Sequence, residues 1–159
     1  MTVPMVDPDA DDYQERIADI LINKVSGVDH IAFASTDTDC TIEVLSLLGF
    51  ETAIYKKTVE RFNILATKMI NVKSDVIEIV EVLDRSKRSP IDNFIKDNQS
   101  QVYHVCYKVD DFDKAYRALV ALETLVVTKP FESYLFDGYR VSHMHNESIG
   151  LFEIFGRIR

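Results

Sequence analysis

Residues 28–48 read VDHIAFASTDTDCTIEVLSLL, and a similar pattern returns 74 residues later as VYHVCYKVDDFDKAYRALVAL at 102–122. Each copy begins with the alternation of a half-buried strand and continues with the apolar spacing of a helix. A later match, at an offset of 75, aligns VIEI (76–79) with LFEI (151–154). A unit of this length that occurs only twice is too long for a solenoid repeat and indicates a duplicated βαβββ module.

The segments around the repeat complete two such modules, at about 27–84 and 101–159. Gly49 ends the first predicted helix, and Ser89 and Pro90 favour a short linking helix over 89–97. We predict an α+β fold in which the two paired βαβββ modules form a cupped mixed sheet in one domain, 27–159. An N-terminal tail and amphipathic helix precede it in 1–26. The predicted strands are 28–34, 50–56, 62–70, 75–83, 101–109, 124–129, 138–146 and 149–157, and the module helices are 38–48 and 111–122.

Charge and composition exclude several classes of function. The 159 residues carry 18 Lys and Arg against 26 Asp and Glu, which is the opposite of the basic surface that binds nucleic acid. No apolar run reaches the ~20 residues of a membrane span, and the acidic N-terminus is unlike a secretory leader. Cys40 and Cys106 form no metal or disulfide pattern, so we expect a cytoplasmic protein.

Four polar residues fall on apolar strand faces at equivalent positions of the two modules. They are His30 and His104 in the first strands, and Glu78 and Glu153 in the last strands. A buried carboxylate needs a partner, and a metal ion is one such partner. Two imidazoles and two carboxylates suit a divalent ion such as Co, Ni, Zn, Mn or Fe. Strand histidines also occur as ordinary core residues. The alternative to a metal site is therefore that the four polar residues pair with one another.

The chain resembles the vicinal oxygen chelate superfamily, which includes glyoxalase I, extradiol dioxygenases and the bleomycin and fosfomycin resistance proteins. Among its branches, the chain is most similar to methylmalonyl-CoA epimerase. The resemblance covers nearly everything after the N-terminal helix. It is carried by VDHIAFA (28–34), LLGFE (47–51), VIEIVEVL (76–83), SPIDNFI (89–95), VYHVCYKVDD (102–111) and MHNESIGLFEIF (144–155).

The resemblance implies that His30, Glu78, His104 and Glu153 hold a divalent metal between the two halves of the sheet. It further implies that the final glutamate, Glu153, moves a proton next to a carbonyl polarised by the metal. Epimerisation needs a second base, for which 56–68 offers Glu60 and Lys68, and we expect Glu60.

The resemblance also implies a small-molecule substrate, with an acyl-CoA thioester as the favoured class. The expected substrate-binding residues are His145, Arg140, Lys87 and Arg88, the last two within a basic island that suits phosphate groups. A glutamate in the Glu78 slot, where epimerases commonly have glutamine, favours a glyoxalase-I-type lyase acting on a thiol hemithioacetal as the alternative. A metal-free binding or resistance protein is the third reading. The apolar stripe of the N-terminal helix must be buried either on the chain's own sheet or on a second subunit, and we expect a homodimer.

Overall fold

The structure is a computed structural model that describes residues 27–158. The predicted N-terminal helix at 11–24 lies outside these residues. Neither module helix in the described part of the chain has the length and apolar content of a bilayer span. The helices are α1 (Thr38–Leu47) and α2 (Phe112–Ala121), and the strands are β1 (Gly27–Ala34), β2 (Phe50–Val59), β3 (Ile64–Asn71), β4 (Val76–Val82), β5 (Gln101–Val109), β6 (Leu125–Val126), β7 (Phe131–Glu132), β8 (Tyr139–Asn146) and β9 (Gly150–Arg157).

All nine strands form one mixed sheet, in the order β2-β3-β4-β1-β5-β9-β8-β6, with β7 also paired to β8. Within each module the first strand runs parallel to the last, β1 to β4 and β5 to β9. The modules meet where β1 pairs antiparallel with β5, and we call this junction the seam. The predicted α+β fold with paired βαβββ modules and an open, mixed sheet is confirmed.

The two helices begin in the same way at equivalent positions of the modules. The side chain of Asp37 accepts a hydrogen bond from the Cys40 amide at 3.0 Å, and Asp111 accepts one from the Lys114 amide at 3.0 Å. Both aspartates have extended backbone, as N-caps do. Asp37 occupies the place of Asp111 in the repeat, so the two modules share the same helix cap.

The linker between the modules differs from the prediction. Residues 90–94 of the predicted helix at 89–97 form turns instead, because the amides of Asp92 and Phe94 bond three residues back, to the carbonyls of Ser89 and Ile91. A three-residue 3-10 helix, Lys96–Asn98, follows. Ile91 is fully buried in the core beneath the first module, so tertiary packing overrides the local helix signal.

Each strand at the seam carries a β-bulge at the same place in the repeat. The register between β1 and β5 skips Asp29 in β1 and Tyr103 in β5. A bulge sends two successive side chains to the same face. Asp29 and Tyr103 therefore turn to the concave face beside the histidines that follow them, His30 and His104.

The convex face of the seam is apolar. Because the bulges shift the register, three cross-strand pairs lie in a row on this face, namely Val28 with Tyr107, Ile31 with Val105, and Phe33 with Val102. Helices α1 and α2 cover the sheet on either side, over β3 and β4 in one case and β8 and β9 in the other. Val28 is 49% exposed and Val102 is 53% exposed. We call this row of six residues the seam face.

Candidate metal centre

The four predicted ligands come from the four central strands of the sheet. His30 lies on β1, Glu78 on β4, His104 on β5 and Glu153 on β9, and all four are buried. The strand registers bring them together, since Ala32 pairs with both Glu78 and His104 on its two sides. Each module contributes one imidazole and one carboxylate to the concave face.

The functional atoms of these four residues converge. His30 Nε2 lies 3.4 Å from Glu78 Oε2 and 3.8 Å from Glu153 Oε1. His104 Nε2 lies 3.8 Å from Glu153 Oε2, and the two imidazole rings are 5.6 Å apart. Ligand atoms of His30, Glu78 and His104 all fall within 4.8 Å of one another.

The hydrogen bonding of the histidines tests whether the set fits a metal. His30 Nε2 and both ring nitrogens of His104 are buried without a hydrogen-bond partner. Such orphaned polar atoms are rare in folded proteins, because each loses its hydration without replacement. A divalent ion bound by neutral imidazole nitrogens and carboxylates would satisfy them. The donor set therefore fits a divalent metal.

Further side chains hold the ligands in place. The imidazole Nδ1 of His30 is hydrogen-bonded to the Asp29 carboxylate at 2.9 Å, and the Tyr134 hydroxyl donates a hydrogen bond to Glu78 Oε1 at 2.7 Å. Carboxylates and hydroxyls in these positions fix the orientation of ligating groups and tune the metal. Tyr134 lies in the aromatic segment 131–139, whose role the sequence had left open between ligand closure and packing.

His143 is a member of the site that sequence reasoning missed. Its Nε2 lies 2.9 Å from Glu153 Oε2, and its Nδ1 is 3.2 Å from the hydroxyl of Thr128. His143 faces Glu153 directly across the β8–β9 pairing. Alternation along β8 puts His143 and His145 on one face, but His145, the residue expected from the sequence, is exposed at the β6 edge, opposite Leu125.

The electrostatics of the two histidines differ. Burial lowers the pKa of His104 to about 3, so this ring is neutral and ready to ligate. Burial and the Lys68 charge also lower the pKa of His30. The Glu78 charge and the hydrogen bond to Asp29 outweigh these two effects and raise the pKa of His30 to about 9. His30 must therefore give up a proton to ligate a metal.

The carboxylates and the buried lysine are all charged. Burial raises the pKa of Glu78, but the Lys68 charge and then His30 lower it well below its usual value. Burial likewise raises the pKa of Glu153, but the nearby His143, followed by His104 and His30, outweighs this effect and lowers the pKa below its usual value. Burial lowers the pKa of Lys68, yet the charges of Glu78 and Asp29 raise it overall.

Two cavities flank the cluster, and Glu78, Glu153 and Tyr134 line both. The first, which we call the apolar cavity, has a volume of about 450 Å³ and also contains His104 and His143. The second, the polar cavity, has a volume of about 330 Å³. Phe62, Ile64, Val80, Tyr103 and Phe131 line the apolar cavity, and Asp29, His30 and Lys68 line the polar cavity.

The remaining predicted site residues lie outside this cluster. Glu60 is exposed in a 3-10 turn and lines neither cavity, because the turn carries it away from the concave face. Arg140 alternates with the inward residues of β8 and pairs at 3.3 Å with Asp113 of α2. Lys87 and Arg88 are exposed, in the segment that leads to Pro90 at the rim of the apolar cavity.

Comparison with known proteins gives a family and a fold. The sequence profile of the Glyoxalase/Bleomycin resistance protein/Dioxygenase superfamily matches residues 29–142. The structure is similar to methylmalonyl-CoA epimerase from Mycobacterium tuberculosis, with TM-score 0.69 and 21% identity over 84% of this chain and 89% of that chain. No curated protein matches the chain in sequence.

Two further solved structures have the same fold. A variant of Streptomyces coelicolor methylmalonyl-CoA epimerase, in complex with 2-nitronate-propionyl-CoA, has TM-score 0.69 and 18% identity over 86% of this chain and 100% of that chain. A hypothetical protein from Bacillus halodurans C-125 has TM-score 0.69 and 18% identity over 86% of this chain and 97% of that chain.

Proposed function

The chain belongs to the Glyoxalase/Bleomycin resistance protein/Dioxygenase superfamily, and from that premise we propose that it is a metal-dependent epimerase. Its reaction inverts a carbon next to a carbonyl through an enolate, and its favoured substrate class is an acyl-CoA thioester. One observation carries this proposal, namely the convergence of two imidazoles and two carboxylates between the two cavities, with Glu78 and Glu153 lining both. The similarity in fold to methylmalonyl-CoA epimerases favours the thioester.

His30, Glu78, His104 and Glu153 would hold the metal. A divalent ion bound there would polarise the carbonyl of the substrate and stabilise the negative charge of the enolate. Glu153 removes the α-proton, because it lies at the cavity and its carboxylate is ionised. His143 and Thr128 keep Glu153 Oε2 in place, which leaves Oε1 free to meet the substrate.

Epimerisation also requires a proton donor on the opposite face of the enolate. Glu60, the residue expected from the sequence, is exposed and lines neither cavity. Glu78 lines the same cavity as Glu153, and the two carboxylates approach His30 Nε2 at 3.4 and 3.8 Å. We assign the second proton transfer to Glu78, which takes up a proton from solvent and delivers it to the enolate, while the proton removed by Glu153 is released to solvent.

The test of this function is exchange of the α-proton with solvent. The protein, loaded with Co²⁺ or Zn²⁺, is incubated with methylmalonyl-CoA and with propionyl-CoA in deuterated water. We expect deuterium at the α-carbon by mass spectrometry and inversion of a single methylmalonyl-CoA epimer. Absence of exchange with every acyl-CoA, in protein that carries metal, would contradict the proposal.

The nucleotide part of an acyl-CoA would lie outside the cavities, near the basic residues Lys87 and Arg88. Replacing both with alanine should raise KM for an acyl-CoA about three- to tenfold and leave kcat unchanged, because exposed charges contribute modestly to binding. The same variant should be unaffected with the matching acyl-pantetheine, which lacks the nucleotide phosphates. Lys73→Ala, at the other end of β4, is the matched control. Equal effects on both substrates would exclude phosphate binding by this segment.

The second candidate function is a glyoxalase-I-type lyase, which the carboxylate at position 78 favours. This reaction also moves a proton next to a carbonyl, but its substrate is the hemithioacetal of a thiol. Methylglyoxal mixed with glutathione would be converted to a thioester by such an enzyme and left unchanged by an epimerase. Binding of a drug-like ligand by metal-free protein, with neither reaction, would favour a binding or resistance protein.

We also propose that the protein is a cytoplasmic homodimer. Its seam face is apolar, and three of its six residues, Val28, Ile31 and Val102, are exposed among the described residues, as partner-binding surfaces are. Light scattering should give twice the monomer mass at micromolar concentration. Ile31→Lys should shift this mass toward the monomer by placing a charge in the contact, whereas Val72→Lys, in the exposed β3–β4 turn, should not. A monomeric wild-type protein would refute the dimer.

A further inference from the structure

A lysine is buried within the candidate metal centre. Lys68 lies on β3 directly opposite Glu78 and is only 5% exposed. Its Nζ lies 3.6 Å from Glu78 Oε1 and 3.5 Å from His30 Nδ1. A buried ammonium group is costly unless it is paired, so its position against these two ligands needs an explanation.

The duplicated module shows what is unusual about this lysine. The residue 75 positions later is His143, which lies opposite Glu153 as Lys68 lies opposite Glu78. Each ligating carboxylate therefore has a nitrogen-bearing side chain across the strand pairing. In the second module that group is an imidazole, and in the first it is an ammonium. The two halves of the site therefore place different nitrogen groups at the same position.

The charges around the cluster can be counted. Three carboxylates, those of Asp29, Glu78 and Glu153, face the polar cavity, and Lys68 is the one lysine or arginine among its lining residues. With both imidazoles neutral, these four side chains sum to a charge of −2. This equals the charge that a divalent ion would neutralise, whereas the same set without the ammonium would carry −3.

We propose that Lys68 is an internal counter-cation that sets the metal affinity of this centre. Its ammonium stabilises the carboxylates when no metal is bound and repels a divalent ion held by the same carboxylates. The four ligands consequently bind metal more weakly than they would alone, and the folded site tolerates the loss of its ion. The inference rests on the proposed metal centre and concerns its affinity rather than its reaction.

The test measures metal binding in variants that remove or keep the charge. Lys68→Met and Lys68→Gln should bind Co²⁺ and Zn²⁺ tighter by about tenfold or more, measured by isothermal titration calorimetry, because a like charge near the ion is gone. Both variants should also have a lower Tm than wild type without metal and regain it with metal. Lys68→Gln is the second variant in case Lys68→Met folds poorly, because the glutamine amide can still donate a hydrogen bond to Glu78.

Two controls separate charge from packing. Lys68→Arg keeps the positive charge and should retain the weak, wild-type affinity or fall below it. Lys56→Met removes a partly exposed lysine of β2 that pairs with Asp39 at 2.9 Å, and should leave metal affinity unchanged. Only a charge role predicts that removing a buried side chain tightens binding, since general damage to the site would weaken it.

Several outcomes would overturn the inference. Unchanged or weaker metal binding in Lys68→Met and Lys68→Gln would show that Lys68 does not compete with the ion. Failure of wild type and of all variants to bind any divalent metal would overturn it together with the metal centre. Tighter binding in the variants, combined with no proton exchange by wild type, would support the inference and contradict only the proposed reaction.

Discussion

Glu153→Gln should lower the rate of α-proton exchange by about 10²- to 10⁴-fold, the usual contribution of a positioned general base. The amide has nearly the size of the carboxylate but cannot accept the proton. His143 can still contact the amide oxygen at position 153, so the β8–β9 pairing should persist. Deuterium incorporation into methylmalonyl-CoA measures the rate, and circular dichroism verifies the fold.

The control for this variant comes from the same hairpin. Glu147→Gln makes the same chemical change at an exposed position between β8 and β9 and should exchange at the wild-type rate. Glu78→Gln should reduce inversion more than it reduces exchange, because Glu153 would still remove the proton. Full activity of Glu153→Gln would transfer the role of first base to another group.

His30→Ala and His104→Ala should each lose the bound metal. Removing a residue that merely supports a ligand typically costs 10- to 100-fold in metal affinity, so removing a ligand should cost more than about 100-fold. Elemental mass spectrometry should find about one divalent ion per chain in wild type, as for a mononuclear site, and almost none in these variants. Their Tm should no longer rise when Co²⁺ or Zn²⁺ is added.

His145→Ala is the matched control for metal content, because this histidine is exposed at the edge of the sheet. It should retain the ion. A wild-type protein that stays metal-free after incubation with Co²⁺, Ni²⁺, Mn²⁺ and Zn²⁺ would contradict the centre. The four polar side chains would then pair with one another, and a metal-free binding protein would become the leading explanation.

The duplication made the four central residues of the site predictable. Alternation along a strand assigns each side chain to a face, and the repeat requires both modules to use the same face. His30 and His104 therefore had to lie beside each other once their strands met. Glu78 and Glu153 followed by the same reasoning, since each ends its module on the strand next to the histidine.

Periodicity could not predict the residues that surround this set. Strict alternation places Asp29 on the convex face, and only the bulge in β1 turns it toward His30. Tyr134 reaches Glu78 from a segment without regular spacing, whose path depends on tertiary contacts. His143 and Lys68 were visible in the sequence, but their roles depend on the hairpin registers, which place each directly opposite a carboxylate.

Two of the predicted site residues lie outside the cluster. Glu60 and Arg140 were chosen because their charges suit the expected chemistry and their segments border the site. Arg140 differs by one residue in β8 from inward-facing Val141, and that single step puts it on the opposite side of the sheet. The charge of a residue in the sequence does not show on which side of the sheet its side chain lies, because that depends on the strand register.

The seam has a thermodynamic consequence for assembly of the sheet. Each module supplies half of the ligands, so a metal ion in this centre binds only the native arrangement in which β1 and β5 are paired. Ligand binding of this kind stabilises the folded state by about 2.7 kcal/mol when the free ion is at 100 times its dissociation constant. The stability of the joined halves would thus follow the metal supply of the cell, and Lys68 would set the concentration range over which this occurs.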